Sequence, residues 1–241
     1  MKYLLISITI LSFLTCHAYA YFENYPPHKF RDGAFSHLEA QAIVDSDNER
    51  YESENGKVLV ELRLRPDELY FSIKENAHTI VYKQDREGPL PYEVYRADLD
   101  NNGLEDFLVI YNYDGVGLAA SYDMVEIYLK KEEGEYQKIS YDTMAARLDD
   151  FVDVDKDGKY EVIITGFCGG EEHNYFTYSI YEFNNYQLVN SDAKFNGFPK
   201  FIWYTNDPND KDTTHLAEQE RLSHTKEKDS TIQYEEIKDL D

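Results

Sequence analysis

Two short stretches of this chain carry the same acidic pattern, Asp98-Leu-Asp-Asn-Asn-Gly-Leu-Glu-Asp106 and Asp153-Val-Asp-Lys-Asp-Gly-Lys-Tyr-Glu161. Each follows the pattern D-x-D-x-[DN]-G-x-x-[DE], and the second begins 55 residues after the first. Oxygen-bearing side chains at alternate positions, a glycine that permits a tight turn and a closing carboxylate suit a hard cation that takes about six to eight oxygen ligands. The pattern therefore predicts two calcium-binding loops.

The residues that follow each loop exclude the EF-hand. An EF-hand begins in the same way but has a glutamate at the twelfth loop position and continues into a helix. Val109 and Ile164 occupy that position here. Both belong to short apolar runs, Phe107–Tyr111 and Val162–Thr165, which are typical of strands buried on both faces. Dockerin-like modules are excluded on the same ground.

The segments around the two loops repeat in the same order: a short strand, the acidic loop, an apolar strand, a glycine-bearing loop and two further strands. In the first unit the predicted segments are Glu93–Ala97, Phe107–Tyr111, the loop Asp114–Gly117, Met124–Leu129 and Tyr136–Ile139. In the second unit they are Phe151–Val152, Val162–Thr165, the loop Gly166–Gly170, Tyr175–Phe183 and Tyr186–Val189. A repeat of about 50 residues indicates stacked or radial β-architecture.

The loop spacing resembles the calcium hairpin of FG-GAP and VCBS-type repeats, which occur in integrin-like β-propellers and in exported bacterial proteins. The resemblance covers Glu93–Val189. It implies two Ca²⁺ sites whose ligands are Asp98, Asp100, Asn102, Asp106 and the Leu104 carbonyl in the first loop, and Asp153, Asp155, Asp157, Glu161 and the Lys159 carbonyl in the second. Since the second loop offers four carboxylates and the first three, we expect the second to bind calcium more tightly.

The resemblance and the repeat together predict a mostly β fold of antiparallel hairpin or meander units, arranged as a propeller or a partial propeller. Two departures from the family are plain. No Phe-Gly…Gly-Ala-Pro signature precedes either loop. Two clear units are also fewer than the four or so blades of the smallest closed propeller.

The first twenty residues predict export. Lys2 is followed by the apolar run Tyr3–Leu14, and Ala18-Tyr-Ala20 is a small-x-small cleavage pattern, so we expect a signal peptide over residues 1–20. Cys16 gives a weaker alternative, a lipid-anchored chain. After cleavage Cys168 is the remaining cysteine, which excludes an intrachain disulfide and leaves dimerisation through its thiol open.

The rest of the chain divides by composition into an N-terminal β-rich region (21–92), the two-unit calcium-hairpin region (93–205) and a polar end (206–241). In the first region the patterns predict a short helix at Phe35–Ile43, strands at Lys57–Leu64, Leu69–Ile73 and Thr79–Lys83, and a break at Glu87–Pro91. In the later regions they predict a last strand at Phe198–Tyr204, a short helix at Ala217–Leu222 and a mobile, partly disordered tail beyond Ser223.

Charge and motifs limit the function. With 47 acidic and 24 basic residues the net charge is −23, which excludes nucleic acid and anionic membranes as partners and leaves a protein or glycan partner open. No stretch after the signal peptide is long enough to cross a membrane. Cys168 and His173 lie close in sequence but form no recognised nucleophile–base motif, so we expect no catalytic residue. Tyr111 and Phe176 exemplify an aromatic content that fits strand cores better than a sugar-stacking face.

The sequence therefore predicts an exported calcium-binding protein that acts as a non-catalytic binding or structural module. The alternative is a secreted hydrolase, acting on a glycan or a peptide, whose carboxylate pair follows no recognised motif. The oligomeric state is left open.

Overall fold

The computed structural model describes residues 36–44, 50–65, 68–76, 78–83, 90–112, 122–132, 134–169, 174–195, 197–203 and 231–238. Within these ranges every strand pairing is antiparallel, and helical structure is confined to the 3-10 turns Leu148–Asp150 and Asp192–Lys194. The expectation of a mostly β fold is confirmed. The predicted signal peptide, the loop at 114–117 and the helix at 217–222 lie outside the described residues.

Sixteen strands are described. In chain order they are β1 (Ser36–His37), β2 (Gln41–Val44), β3 (Arg50–Glu52), β4 (Val58–Arg65), β5 (Glu68–Glu75), β6 (His78–Lys83), β7 (Leu90–Ala97), β8 (Asp106–Asn112), β9 (Tyr122–Glu132), β10 (Glu135–Met144), β11 (Phe151–Asp153), β12 (Glu161–Gly169), β13 (Asn174–Asn184), β14 (Gln187–Asn190), β15 (Lys200–Trp203) and β16 (Gln233–Lys238).

The strands form three sheets. The N-terminal sheet has the order β3-β4-β5-β6, and the central sheet has the order β16-β10-β9-β8-β7-β2. The third sheet has the order β1-β11-β12-β13-β14, with β15 also paired to β13. Each sheet thus contains four consecutive strands joined as an antiparallel meander, and in the central and third sheets these meanders are the two predicted repeat units.

The meander of the N-terminal sheet has the same topology but no acidic loop, and the sequence pattern did not reveal it as a third unit. Its first connection, Ser53–Lys57, is a tight turn in which the N–H groups of Lys57 and Val58 donate to Asn55 Oδ1 and Ser53 Oγ at 3.0 and 2.9 Å. Gly56 in this turn has φ +66°, a left-handed conformation that glycine adopts readily. Hydroxyl and amide groups here replace the carboxylates of the other two units.

The central sheet lies between the other two. On β8, Phe107, Val109 and Tyr111 pack in a core shared with the N-terminal sheet. Leu108 and Ile110, which alternate with them, pack in a core shared with the third sheet. All five side chains are buried, because successive residues of a strand point to opposite faces. The expectation that the strand after the first loop is buried on both faces is confirmed, and Val162–Thr165 of β12 is likewise buried.

The prediction of a helix at Phe35–Ile43 is wrong for the described part of that segment. Ser36–His37 forms β1 and pairs with β11, and Gln41–Val44 forms β2 and pairs with β7. Each short strand completes the edge of a different sheet, so backbone pairing outweighs the local helical pattern. The break expected at Glu87–Pro91 also ends earlier, since β7 begins at Leu90; its Pro91 lies beside an irregularity in the β7–β8 register, where proline is tolerated.

The prediction of a glycine-bearing loop at Gly166–Gly170 is wrong for the residues that the structure describes. Gly166–Gly169 continues β12, with Gly166 opposite Thr177 and Gly169 opposite Asn174. The eleven residues of β13 supply a partner for the whole extension, which holds these glycines in a ladder despite their weak strand preference. Cys168 therefore lies in a strand, opposite Tyr175, rather than in a loop.

The expectation of a mobile tail is wrong at residues 233–238. They form β16, the outer strand of the central sheet, in register with Glu135–Ser140 of β10. Ile237 packs against the core beneath the N-terminal sheet, and the Gln137 amide donates to the Glu235 carbonyl at 3.0 Å. The strand expected at Phe198–Tyr204 is present as Lys200–Trp203 but is followed by β16. Paired backbone groups explain why so polar a segment is ordered.

We expect the paired amides of Gln233–Lys238 to exchange slowly in hydrogen-exchange mass spectrometry. Ile237→Ala should lower the free energy of unfolding by about 1 kcal/mol, because Ile237 is only partly buried. Glu236→Ala is the matched control; it removes an exposed ion pair with Lys131 and should cost about 0.5 kcal/mol or less. Exchange of the segment at the unfolded-chain rate would contradict the assignment of β16.

Candidate metal centre

Residues 98–106, here called loop one, fold around their own acidic side chains. Asp98 accepts hydrogen bonds from the N–H groups of Asn102 and Gly103 at 3.0 and 2.9 Å, and Asp100 accepts a further one from Asn102 at 3.2 Å. The N–H of Leu104 donates to Asn102 Oδ1 at 2.7 Å. Asp106 then closes the loop by accepting the N–H of Leu99 at 2.8 Å.

Residues 153–161, here called loop two, repeat this arrangement bond for bond. Asp153 accepts from Asp157 and Gly158, both at 3.1 Å, and Asp155 accepts from Asp157 at 3.1 Å. Lys159 donates to Asp157 Oδ1 at 2.8 Å. Glu161 closes the loop by accepting the N–H of Val154 at 2.7 Å. The shared sequence pattern therefore corresponds to one shared loop structure.

Left-handed residues occur at the same two positions of each loop. Asn101 and Lys156 at the fourth position have φ of 58° and 66°, and Gly103 and Gly158 at the sixth have φ of 84° and 88°. A Cβ built on either glycine would meet nothing within 4 Å, so the space is free and the constraint is the backbone angle. Glycine is favoured there because it adopts positive φ at low cost.

Three carboxylates converge in each loop. One oxygen from each of Asp98, Asp100 and Asp106 lies within 4.8 Å of the other two, and the same holds for Asp153, Asp155 and Glu161. The closing acids Asp106 and Glu161 are only 0% and 2% exposed. Six of the predicted ligand side chains thus come together as two groups of three.

The remaining predicted ligands have other contacts. The carboxylate of Asp157 is not in the converging group of loop two; it accepts the Lys159 N–H. The Asn102 amide nitrogen donates to Asp100 Oδ2 at 3.3 Å and to the Lys130 carbonyl at 3.1 Å. Leu104 and Lys159, expected to contribute carbonyls, follow the glycine of each loop and use their N–H groups within it.

Burial and mutual repulsion perturb these carboxylates. Burial, with smaller contributions from the Asp100 and Asp98 charges, raises the pKa of Asp106 to about 8 even though two backbone N–H groups favour its charged form. Burial, with the Asp155, Asp157 and Asp153 charges, raises the pKa of Glu161 to about 7. A buried acid beside two other carboxylates is costly to ionise, and a divalent cation between them would offset that cost.

The two loops lie beside one another. A cavity of about 150 Å³ is lined by Asp100 from loop one and by Asp155, Asp157 and Glu161 from loop two. Lys194 contributes to the same wall and pairs with Glu182. A cation bound in one loop would therefore act on the carboxylates of the other at short range.

A buried cluster around Glu126 was not anticipated from the sequence. Its carboxylate accepts from the hydroxyls of Tyr111 and Tyr128, both at 2.6 Å, and pairs with Lys83 and Lys138 at 3.1 and 2.8 Å. Although burial alone would raise the pKa of Glu126, the two lysines outweigh it and the pKa is lowered. The signal in the sequence is a glutamate inside the apolar run Met124–Leu129. With hydroxyl or ammonium partners on both of its oxygens, this carboxylate joins the N-terminal sheet to the central sheet.

Comparison with known proteins returned no match to a family model, a curated protein or a solved structure. Within the described residues no helix has the length and apolar character needed to cross a membrane. His173 lies outside the described ranges, as does the side chain of Cys168.

The raised pKa values predict a pH dependence that calcium abolishes. Unfolded carboxyls titrate near pH 4, whereas folded Asp106 and Glu161 titrate near 8 and 7. Between these limits the folded metal-free chain binds more protons than the unfolded chain, so raising the pH lowers the free energy of unfolding. Chemical denaturation in chelator should show lower stability at pH 8 than at pH 6, and a larger stabilisation by calcium at pH 8. An identical pH slope with and without calcium would contradict this.

Proposed function

We propose that this chain is an exported calcium-binding β-repeat protein that acts as a non-catalytic binding or structural module, with one Ca²⁺ in each loop. The observation that carries the proposal is the repetition of one loop geometry at two places 55 residues apart. In both, three carboxylates converge and the closing acid is buried. Calcium suits such sites, because it accepts flexible sets of carboxylate oxygens with water completing its coordination.

The burial of Asp106 and Glu161 favours a metal site over a pair of solvated acidic turns. In an ordinary acidic turn the carboxylates extend into water, where their charge costs little. Here each closing acid lies at the start of a strand buried on both faces and beside two other carboxylates. An acid in this setting is stabilised by a cation, and calcium binding is then coupled to the stability of the fold.

The strand order supports the resemblance to FG-GAP and VCBS-type repeats. Antiparallel four-stranded meanders are the form of propeller blades, and in both repeat units the acidic loop joins the first strand to the second. A partial propeller of three such sheets is the arrangement we propose. Export rests on the signal-peptide pattern of residues 1–20, and a protein or glycan is the class of partner proposed.

The first test is thermal unfolding of the wild-type chain in chelator, in calcium and in magnesium. We expect a calcium-selective rise in Tm that Asp100→Asn reduces, because this change removes one converging carboxylate of loop one. Glu105→Gln is the matched control, since it removes an exposed charge of the same loop that pairs with Arg96 at 3.1 Å. The assignment is wrong if calcium leaves Tm unchanged or if the two variants behave alike.

The two sites should differ in affinity. Loop two has Asp157 where loop one has Asn102, so its predicted ligand set contains one more carboxylate. Asp106 already accepts two backbone N–H groups, from Leu99 and Lys130, which compete for its oxygens. In a calorimetric titration Asp155→Asn should remove the tighter binding phase and Asp100→Asn the weaker one. The reverse assignment would contradict the ranking.

A further inference from the structure

The backbone of Lys130, in β9, forms two hydrogen bonds with side chains of loop one. Its N–H donates to Asp106 Oδ1 at 2.8 Å, and its carbonyl accepts from the Asn102 amide at 3.1 Å. The other oxygen of Asp106 accepts from Leu99 within the loop. The closing carboxylate of loop one is therefore held between its own loop and the backbone of Lys130.

The side chain of the same residue reaches the N-terminal sheet. Lys130 Nζ lies 2.5 Å from Oε2 of Glu75, the last residue of β5, and that oxygen also accepts from the Tyr136 hydroxyl. The Lys130 and Glu75 side chains are only 14% and 13% exposed. An ion pair shielded from water in this way is stronger than one on an open surface. One residue thus connects loop one to the docked N-terminal sheet.

The strand position beside loop two that matches Lys130 carries no charged side chain. In the central sheet Tyr128 lies opposite Phe107, and Lys130 follows two residues later. In the third sheet Tyr181 lies opposite Val162, and the residue two positions later is Phe183. Phenylalanine carries no charge, so this position cannot form the ionic link to a neighbouring sheet that Lys130 forms beside loop one.

We propose that Lys130 is a positioning residue that couples occupancy of loop one to the docking of the N-terminal sheet on the central sheet. This inference rests on the proposed calcium function. Without a cation the crowding of three acids in loop one opposes a fixed position for Asp106, and we expect the Lys130 backbone bound to it to be held less firmly. A bound cation fixes Asp106, and the fixed backbone of Lys130 holds its ammonium group against Glu75. The coupling runs through contiguous bonded groups.

The test is hydrogen exchange of β5 and β6 in the full chain, with chelator and with calcium, while calcium stoichiometry is measured in parallel. In the wild type we expect calcium to slow exchange of these strands by roughly fivefold or more. Lys130→Met should keep two bound calcium ions and lose most of this slowing. Lys83→Met is the control: it breaks the ion pair of the N-terminal sheet with Glu126 but leaves loop one untouched, so the calcium effect should persist.

Three further variants complete the test. Glu75→Gln breaks the link from the other side and should reproduce the loss seen with Lys130→Met, whereas Lys130→Arg should restore the coupling. Asp155→Asn, in loop two, should leave the slowing of β5 and β6 in place. Full calcium-dependent slowing in both Lys130→Met and Glu75→Gln, or two bound calcium ions with no slowing in the wild type, overturns this inference alone. A wild-type chain that binds no calcium overturns the proposed function as well.

Discussion

The rest of this structure depends on where two carboxylates are placed. Asp106 and Glu161 each stand at the point where an exposed loop becomes a strand buried on both faces, and neither is appreciably exposed. A charge in that position must be compensated, and backbone N–H groups supply part of the compensation. The other converging acids of each loop add negative charge, so more positive charge is needed to balance it. In the function proposed above, calcium supplies the compensating charge in both loops.

The strand that follows loop one also determines how the sheets are layered. Since β8 is apolar on both faces, it requires a layer on each side, and the N-terminal and third sheets provide these layers. The loops lie where the first and second strands of their meanders meet, so a metal bound there would stabilise the buried strand that follows each loop. The Glu126 cluster and the Lys130–Glu75 ion pair then join the N-terminal sheet to the central one at two separate places.

Local features of the sequence were sufficient to predict the loops and the strands that follow them. The pattern D-x-D-x-[DN]-G and the apolar run after it encode this geometry within a few residues. Features that depend on distant partners were not predictable. Gln233–Lys238 is ordered only because β10 pairs with it, and Ser36–His37 forms a strand because β11 lies alongside. Lys130 gives no local sign of its contacts, since both of its partners are brought to it by folding.

The number of calcium ions retained by the folded chain can be measured by native mass spectrometry after exchange into micromolar calcium. We expect two ions for the wild type, and one each for Asp100→Asn and Asp155→Asn, because each substitution removes a converging carboxylate from one loop. A chain that retains no calcium, or variants that still retain two ions, would contradict the claim that these loops are metal sites.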